Sequence, residues 1–291
     1  MFTIGKDKKA VGHILIGNSS YGYPSFQVGK SAPPSIPHID EVKASLEKDL
    51  MWEVDKEEIS EPARLLYLGI DQFYAIYKIR GQMVGINLIA KHATLASELK
   101  SYMPSPQEYK DITKEIRESK PGQLSTEGDE HLPLSPYSGP GGPNGSYCGP
   151  CSGVSIGRYY REHGHPWLPN DAQMYWDLYD TMEADVFGGI VFPWNYGPGF
   201  AISYSEFWYE YKPVVTASYY WTVVAYIDCG WPFGLCGSPV IWHWKTIEGY
   251  HYEAGIYSVY TNDSLGYDDE LLPWALIVAA QNSTTCIYEI L

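Results

Sequence analysis

Basic residues are scarce in the second half of this sequence. Residues 148–291 contain 16 acidic side chains and only four basic ones, whereas residues 1–147 contain 19 acidic and 16 basic ones; the whole chain has a formal net charge of −15. A region without a basic patch is a poor partner for nucleic acid or for an anionic membrane surface. The contrast between the two parts indicates two differently composed domains.

Other features are absent as well. No run of about eighteen apolar residues occurs, which argues against a membrane-spanning helix. The first residues lead directly into a strand-like pattern and show no secretory signal. We therefore expect either a secreted or cell-surface protein whose signal is not part of this sequence, or a cytoplasmic one. No C-x-x-C motif is matched by a second C-x-x-C or by a histidine pair, so we expect neither a metal site nor a cofactor.

Cysteine is absent from the first 147 residues, and all five cysteines follow. Cys229 and Cys236 flank a short, turn-rich loop, 230–235, that a disulfide bond could close. One nucleophilic cysteine and two disulfide bonds would account for all five. Five free thiols in a reducing compartment are the alternative, because connectivity cannot be deduced from sequence.

The composition and the hydrophobic periodicity predict an α+β fold in three segments. These are a small α+β domain with an antiparallel sheet at 1–100, a charged helix and a Pro/Gly/Ser-rich linker at 101–147, and a helix-first, sheet-second domain at 148–291. Before the linker we predict strands at 10–17, 23–28, 63–69, 72–79 and 82–90, a helix at 39–52, and helical segments within 91–119 that are broken at 104–106. After the linker we predict helices at 148–163 and 170–182, a loop at 188–199, and strands at 214–220, 222–228, 239–245, 251–260 and 274–280.

The most informative motif is Cys148-Gly149-Pro150-Cys151, which opens a helix-like run. Pro150 suits the first turn of a helix, where its missing N–H costs nothing. Cys148 would then lie at the helix N-terminus, where unpaired N–H groups and the helix dipole favour a thiolate. This is one way of making a cysteine nucleophilic near neutral pH.

Three interpretations of this motif are open. CGPC is also the redox motif of thioredoxin-like dithiol oxidoreductases, but those place it after a buried strand. Residues 135–146 are too rich in Pro and Gly to form a central strand. Cys148 can alternatively be the lone nucleophile of a hydrolase, or a structural cysteine at a helix start.

A cysteine hydrolase needs a general base and a group that orients it. Of the eight histidines, His251 opens a predicted strand just after a turn, where a side chain can project into a cleft. His243 lies within a predicted strand between two tryptophans. We therefore predict His251 as the base.

The predicted hairpin then selects the orienting residue. Its strands are 251–260 and 274–280, and its polar segment is centred between residues 266 and 267. Antiparallel pairing about that centre places Asn282 opposite His251. An asparagine can fix the imidazole tautomer in a Cys-His-Asn triad. Asp263 would lie at the far tip of such a hairpin.

These motifs resemble known sequences. The segment YCGPCSGVSIGRYY at 147–160 resembles the nucleophile segment of papain-like cysteine peptidases of the bacteriocin-processing and streptopain type. Residues 237–241 and 249–252 resemble the strands of that family that precede and carry the catalytic histidine. VGHILIG and YPSFQVGKSAPPS resemble the strand pair of streptopain-like propeptides.

The resemblance implies a peptidase that cleaves peptide bonds, with Cys148 as nucleophile and His251 as base. It also implies that the first domain is a propeptide that inhibits the enzyme until it is cleaved. The family has a glutamine shortly before the cysteine that binds the oxyanion, whereas no glutamine lies between Gln123 and Cys148. We expect Asn144 to replace it, and we expect Trp194 and Tyr196 to line the cleft. Without a replacement, the alternative is a non-catalytic module that binds peptides.

Overall fold

The computed structural model describes most of the chain. The described residues are 2–6, 9–16, 26–29, 36–67, 73–88, 91–99, 104–122, 124–125, 127–140, 148–184, 191–214, 216–237, 243–264 and 269–290. Up to residue 29, only the backbone is described. Within these ranges no helix has both the length and the apolar character needed to cross a membrane.

The secondary structure is mixed, in agreement with the predicted α+β class. The strands are β1 (Phe2–Lys6), β2 (Lys9–Ile16), β3 (Phe26–Gly29), β4 (Arg64–Tyr67), β5 (Phe73–Ile79), β6 (Gln82–Asn87), β7 (Ala93–Leu95), β8 (Gly128–His131), β9 (Phe207–Pro213), β10 (Phe233–Cys236), β11 (Trp244–Glu253), β12 (Ile256–Asp263), β13 (Glu270–Pro273) and β14 (Ser283–Glu289). The helices are α1 (Ile39–Leu50), α2 (Pro106–Glu118), α3 (Cys148–Glu162), α4 (Asp171–Thr181), α5 (Pro193–Ser203), α6 (Tyr220–Asp228) and α7 (Trp274–Ala279).

The chain divides into two compact units. The smaller unit comprises residues 33–103, and the larger one combines residues 1–32 with 104–291. The predicted boundaries at 100 and 147 do not coincide with this division. The assignment of residues 1–100 as a propeptide-like domain stays a prediction.

The smaller unit contains α1 and an antiparallel sheet in the order β4-β5-β6-β7. Helix α1 begins with a capping box, in which the His38 side chain accepts from the backbone and Glu41 bonds back to the His38 N–H. Val42 and Leu46 are its buried apolar residues. The helix predicted from residue 91 is wrong, because residues 93–95 pair with β6 instead.

The larger unit is built on an antiparallel sheet in the order β1-β2-β3-β13-β12-β11-β10-β14-β9. Strand β8 pairs with β11 at the same edge as β10, but further along the strand. Residues 128–131 of the predicted linker are therefore part of the sheet. Gly249 permits this pairing, because a Cβ there would lie 2.3 Å from the backbone oxygen of Glu130.

Two predicted strands of the larger unit are helices. Residues 220–228 form α6, whose buried positions Tyr220, Val223, Val224 and Ile227 recur at helical spacing. Residues 274–279 form the short helix α7. Both segments are rich in aromatic and β-branched residues, which favoured the strand prediction, but helical burial decides their structure.

The predicted hairpin is also wrong. Strand β11 turns at Ala254 and Gly255 and returns as β12, so that His251 lies opposite Ser258. Both turn residues have positive φ, 50° and 85°, as a two-residue hairpin turn of type I′ requires. The return strand therefore begins at residue 256, and it ends at Asp263 opposite Lys245.

Candidate active site

Helix α3 begins at Cys148, as predicted, and its first turns are buried. Ser152, one turn further on, anchors this end of the helix to the sheet. Its hydroxyl lies 2.9 Å from Thr246 Oγ1 and 3.1 Å from the backbone oxygen of Lys245, both on β11, and 3.0 Å from Tyr196 Oη on α5. The N-terminal end of α3 therefore rests against the first residues of β11.

The surroundings of Cys148 place it beside the junction of β10 and β11. Burial raises the pKa of the Cys236 thiol, and the charge of the nearby Cys148 sulfur raises it further. Cys236 lies opposite Trp244, and the N–H of the next residue, Gly237, donates to the backbone oxygen of His243 over 2.8 Å. Residue 243 and the N-terminal end of α3 therefore both adjoin the first residues of β11.

His243 directly precedes β11 and is paired with a buried carboxylate. Its Nε2 lies 3.2 Å from Oδ2 of Asp263, the last residue of β12. The side chain of His243 is 9% exposed and that of Asp263 is fully buried. Such a carboxylate can hold the ring in one orientation and stabilise its protonated form.

A buried lysine lies behind this pair. Lys245 Nζ is 3.6 Å from Asp263 Oδ2 and forms a short ion pair with Glu270. Thr261 Oγ1 also approaches the Glu270 carboxylate, at 3.5 Å. All of these side chains are buried. The carboxylate that faces His243 is therefore positioned by a charged network and not by solvent.

The structure does not bring the predicted base and orienting residue together. His251 lies seven residues further along β11 than the start of the strand, with its Nδ1 3.2 Å from Asp129 Oδ1. Asn282 precedes β14 and is buried, and no hydrogen bond of its side chain is found within the described part of the chain. The pairing of His251 with Asn282 is wrong because it was calculated about the wrong turn.

The other predicted site residues differ in their burial and in whether the structure describes them. Tyr196 is fully buried and stacks on Trp244, with ring centroids 4.0 Å apart, so it belongs to the core and does not line an open cleft. Trp194 is 58% exposed and stacks on Phe192. Asn144, the expected oxyanion donor, lies outside the described residues.

The remaining cysteines, Cys151, Cys229, Cys236 and Cys286, are free thiols. Cys229 is exposed at the end of α6, whereas Cys236 is buried in β10, and the suggested disulfide bond between them is not formed. Cys151 is 2% exposed, and burial raises its pKa strongly, with a smaller contribution from Cys148. A Cβ at Gly139 would lie only 2.7 Å from the Cys151 sulfur, so this thiol is closely covered.

The sequence contained a signal for His243 and Asp263 that the prediction did not use. Ala254-Gly255 is a two-residue turn, and antiparallel pairing about it places Asp263 opposite Thr246; a bulge between Ile247 and Gly249 shifts the observed partner to Lys245. The predicted hairpin instead uses the polar segment 261–272 as its turn. The tight turn therefore brings Asp263 within three residues of the level of His243, and the bulge shifts it one residue closer.

Comparisons with known proteins add little to this geometry. No family model matches the chain, and no curated protein matches it. Among solved structures, it is similar to a prointerpain A fragment from Prevotella intermedia, with a TM-score of 0.40 and 10% sequence identity. That similarity covers 78% of this chain and 98% of the other.

Proposed function

We propose that this protein is a cysteine peptidase of papain-like type, in which Cys148 is the nucleophile, His243 the general base and Asp263 the residue that orients it. The observation that carries the proposal is the buried His243–Asp263 pair at 3.2 Å. The pair lies at the start of β11. The N-terminal end of α3, which begins at Cys148, is hydrogen-bonded to the same part of β11 through Ser152. The resemblance of residues 147–160 to the nucleophile segment of such peptidases supports it.

The hydrogen bond to Asp263 determines the role of each ring nitrogen. When Nε2–H donates to the carboxylate, Nδ1 carries the lone pair and can accept the thiol proton of Cys148. The thiolate attacks the peptide carbonyl carbon, and the imidazolium then gives its proton to the leaving amine. Water, deprotonated by the same imidazole, hydrolyses the thioester and regenerates the thiol.

Two further parts of the proposal follow the family resemblance. The backbone N–H of Cys148 and the Asn144 side chain bind the oxyanion; losing one such donor costs roughly 2.7–4 kcal/mol of transition-state stabilisation. The chain is a precursor, and residues 1–100 inhibit the enzyme until cleavage within 121–147. The substrate is a peptide or protein chain.

The sequence before the motif favours hydrolysis over dithiol chemistry. Thioredoxin-like oxidoreductases place CGPC after a buried strand. Residues 135–146 are too rich in Pro and Gly to form a central strand. The lone-nucleophile interpretation of the motif is therefore the better supported one.

The test compares His243, directly before β11, with His251, within β11. Cleavage of a peptide library is measured for the full chain, after limited proteolysis within 121–147, and for Cys148→Ala, His243→Ala and His251→Ala. We expect activity that is lost in the first two variants and retained within about threefold in His251→Ala, because His243 faces a buried carboxylate whereas Asp129, the partner of His251, is exposed. Activity that survives His243→Ala but not His251→Ala would restore the original assignment.

Chemical labelling separates the remaining alternatives. Iodoacetamide should modify Cys148 at about pH 6 much faster than the other cysteines, and His243→Ala should slow this labelling. Labelling without cleavage of any peptide would favour a non-catalytic peptide-binding module. Labelling of Cys148 and Cys151 together, and only after reduction, would favour the dithiol oxidoreductase.

A further inference from the structure

A second group of chemically active side chains lies in the larger unit, apart from the proposed triad. It consists of His131 on β8, Glu248 on β11 and Asp269, the residue before β13. One ligand atom of each lies within 4.8 Å of the others. His131 Nε2 is 2.7 Å from Asp269 Oδ1 and 3.5 Å from Glu248 Oε1. Three separate segments of the chain thus converge at one point.

The three side chains of this group are more buried than those of an ordinary surface ion pair. The Glu248 side chain is fully buried and that of Asp269 is 10% exposed, while His131 is 39% exposed. Two carboxylates in such surroundings require positive charge, because an uncompensated buried charge is costly. His131 can supply positive charge when it is protonated. A divalent cation would offset both negative charges.

An independent observation concerns a buried amide beside this group. Asn262 is 1% exposed, and its Nδ2 donates to Glu248 Oε2 over 2.6 Å, which places its amide group beside the cluster. The Oδ1 atom of the same amide is buried and has no hydrogen-bond partner within the described part of the chain. A buried amide oxygen normally has a donor or a cation to bind.

We propose that His131, Glu248 and Asp269 bind a divalent transition-metal ion such as Zn²⁺, with the Asn262 amide oxygen or a water molecule as the fourth ligand. One imidazole nitrogen and carboxylate oxygens are ligands that Zn²⁺ accepts at about 2.0–2.2 Å in tetrahedral geometry. Tetrahedral ligands at that distance are roughly 3.4 Å apart, so the observed separations need only small side-chain adjustments. The proposal does not depend on the peptidase activity.

Such an ion would join the linker to the catalytic sheet. His131 belongs to β8, and Glu248 to the strand with which β8 pairs. A metal bond from β8 would add to the four backbone pairings between 128–131 and 249–252. We therefore expect the ion to protect the segment around β8 from proteolysis.

The experiment measures Zn²⁺ binding by titration calorimetry to the full chain carrying Cys148→Ala, which removes the thiol of the proposed active site as a competing ligand. We expect one ion per chain, at least about 10-fold weaker binding in His131→Ala and in the isosteric Asp269→Asn, and no change in His251→Ala. His251 is the matched control because it forms the other histidine–carboxylate pair between the same two strands.

A second measurement guards against variants that misfold. Limited proteolysis of the Cys148→Ala chain should slow around residues 121–140 on addition of Zn²⁺, and Asp269→Asn should abolish this effect while its circular dichroism spectrum stays unchanged. Absence of Zn²⁺ binding would overturn the proposal. So would binding of equal strength in Asp269→Asn, since the ion would then be held elsewhere.

Discussion

Lys245 is a charged residue that is almost completely buried in the proposed site. It is 2% exposed and lies between Asp263 and Glu270. A lysine is almost never buried this completely unless it is paired, because removing its charge from water costs several kcal/mol. The two carboxylates offset this cost, and the lysine in turn keeps Asp263 charged and in place beside His243.

Replacement of this lysine should destabilise the fold. Lys245→Met leaves two buried carboxylates side by side, so we expect a loss of about 3–5 kcal/mol in the free energy of unfolding, measured by urea denaturation. Lys212→Met is the matched control. It removes the exposed ion pair with Glu210, and should cost less than about 1 kcal/mol. Equal losses in the two variants would show that the buried network contributes nothing.

Asp263 should affect catalysis more than stability. In Asp263→Asn the side chain keeps its shape but no longer stabilises the protonated ring of His243. We expect kcat to fall by roughly 10²–10⁴-fold, with KM nearly unchanged. Asp129→Asn, which changes the partner of His251, is the control and should keep nearly full activity. A wild-type kcat for Asp263→Asn would exclude Asp263 as the orienting residue.

The features that the sequence predicts correctly are those with a local signal. Gly149-Pro150 marks a helix start, and α3 begins at Cys148; the role of Cys148 stays a prediction. The pair of His243 and Asp263 has no local signal, because Asp263 lies across a hairpin whose turn is about a dozen residues from the predicted one. The register of the strands determines which histidine lies beside a carboxylate. An error in the position of one turn therefore changes every predicted pair.

At the scale of elements, helices α3 and α4 are tied together by one carboxylate. Asp171, at the start of α4, accepts hydrogen bonds from Arg158 Nε over 3.1 Å and from Arg161 over 2.7 Å, both on α3. Partial burial acts to raise the pKa of Asp171, but the two arginines outweigh it, so that the pKa lies below its usual value of 3.8. The pair of helices is therefore sensitive to acid.

This carboxylate gives a pH dependence with a definite sign. Since the pKa of Asp171 is lower in the folded chain than in the unfolded one, its contribution to stability is complete above about pH 4 and is lost as the pH falls through the folded value. Asp171→Asn should lower the free energy of unfolding at neutral pH and flatten its decline in acid. Thermal melting at several pH values checks this. Parallel curves for the two proteins would contradict it.

Strand β8 depends on the absence of a side chain opposite it. In Gly249→Ala the new Cβ would meet the backbone of Glu130, which cannot move without breaking the strand pairing. We expect faster hydrogen exchange of the amides at 128–131 and faster proteolysis of the linker. Gly122→Ala is the control, because a Cβ there meets no atom within 4 Å. Unchanged exchange in Gly249→Ala would mean that β11 adjusts instead.

The helices that the sequence predicts correctly differ from the others in their capping residues and in their β-propensity. Helix α2 has a capping box formed by Ser105 and Glu108, and charged residues cover its exposed face. Helices α6 and α7 lack side-chain caps and consist mainly of residues with high β-propensity. For them the surrounding core determines the structure, and a single sequence does not display that core.

At the scale of the whole molecule, charge should affect the choice of substrate. Residues 148–291 carry 16 acidic and four basic side chains, so the field around the proposed site attracts cations. For two peptides that share a cleavage site, kcat/KM at low salt should be roughly 10-fold higher for the lysine-rich one than for the glutamate-rich one. The difference should shrink as the ionic strength rises. A preference that is unaffected by salt would point to specific contacts.

The way in which β3 joins the large sheet has a consequence for the mature form. Val28 of β3 pairs with Leu271, so the first strands of the chain cover the side of β13. If the cleavage proposed within 121–147 releases residues 1–32, it exposes that side, and unpaired backbone groups at a sheet edge invite pairing with another molecule and aggregation. Strand β13 has only four residues and ends at Pro273, which has no N–H to offer. Its shortness and its terminal proline are features that keep a newly exposed edge from growing into a fibril.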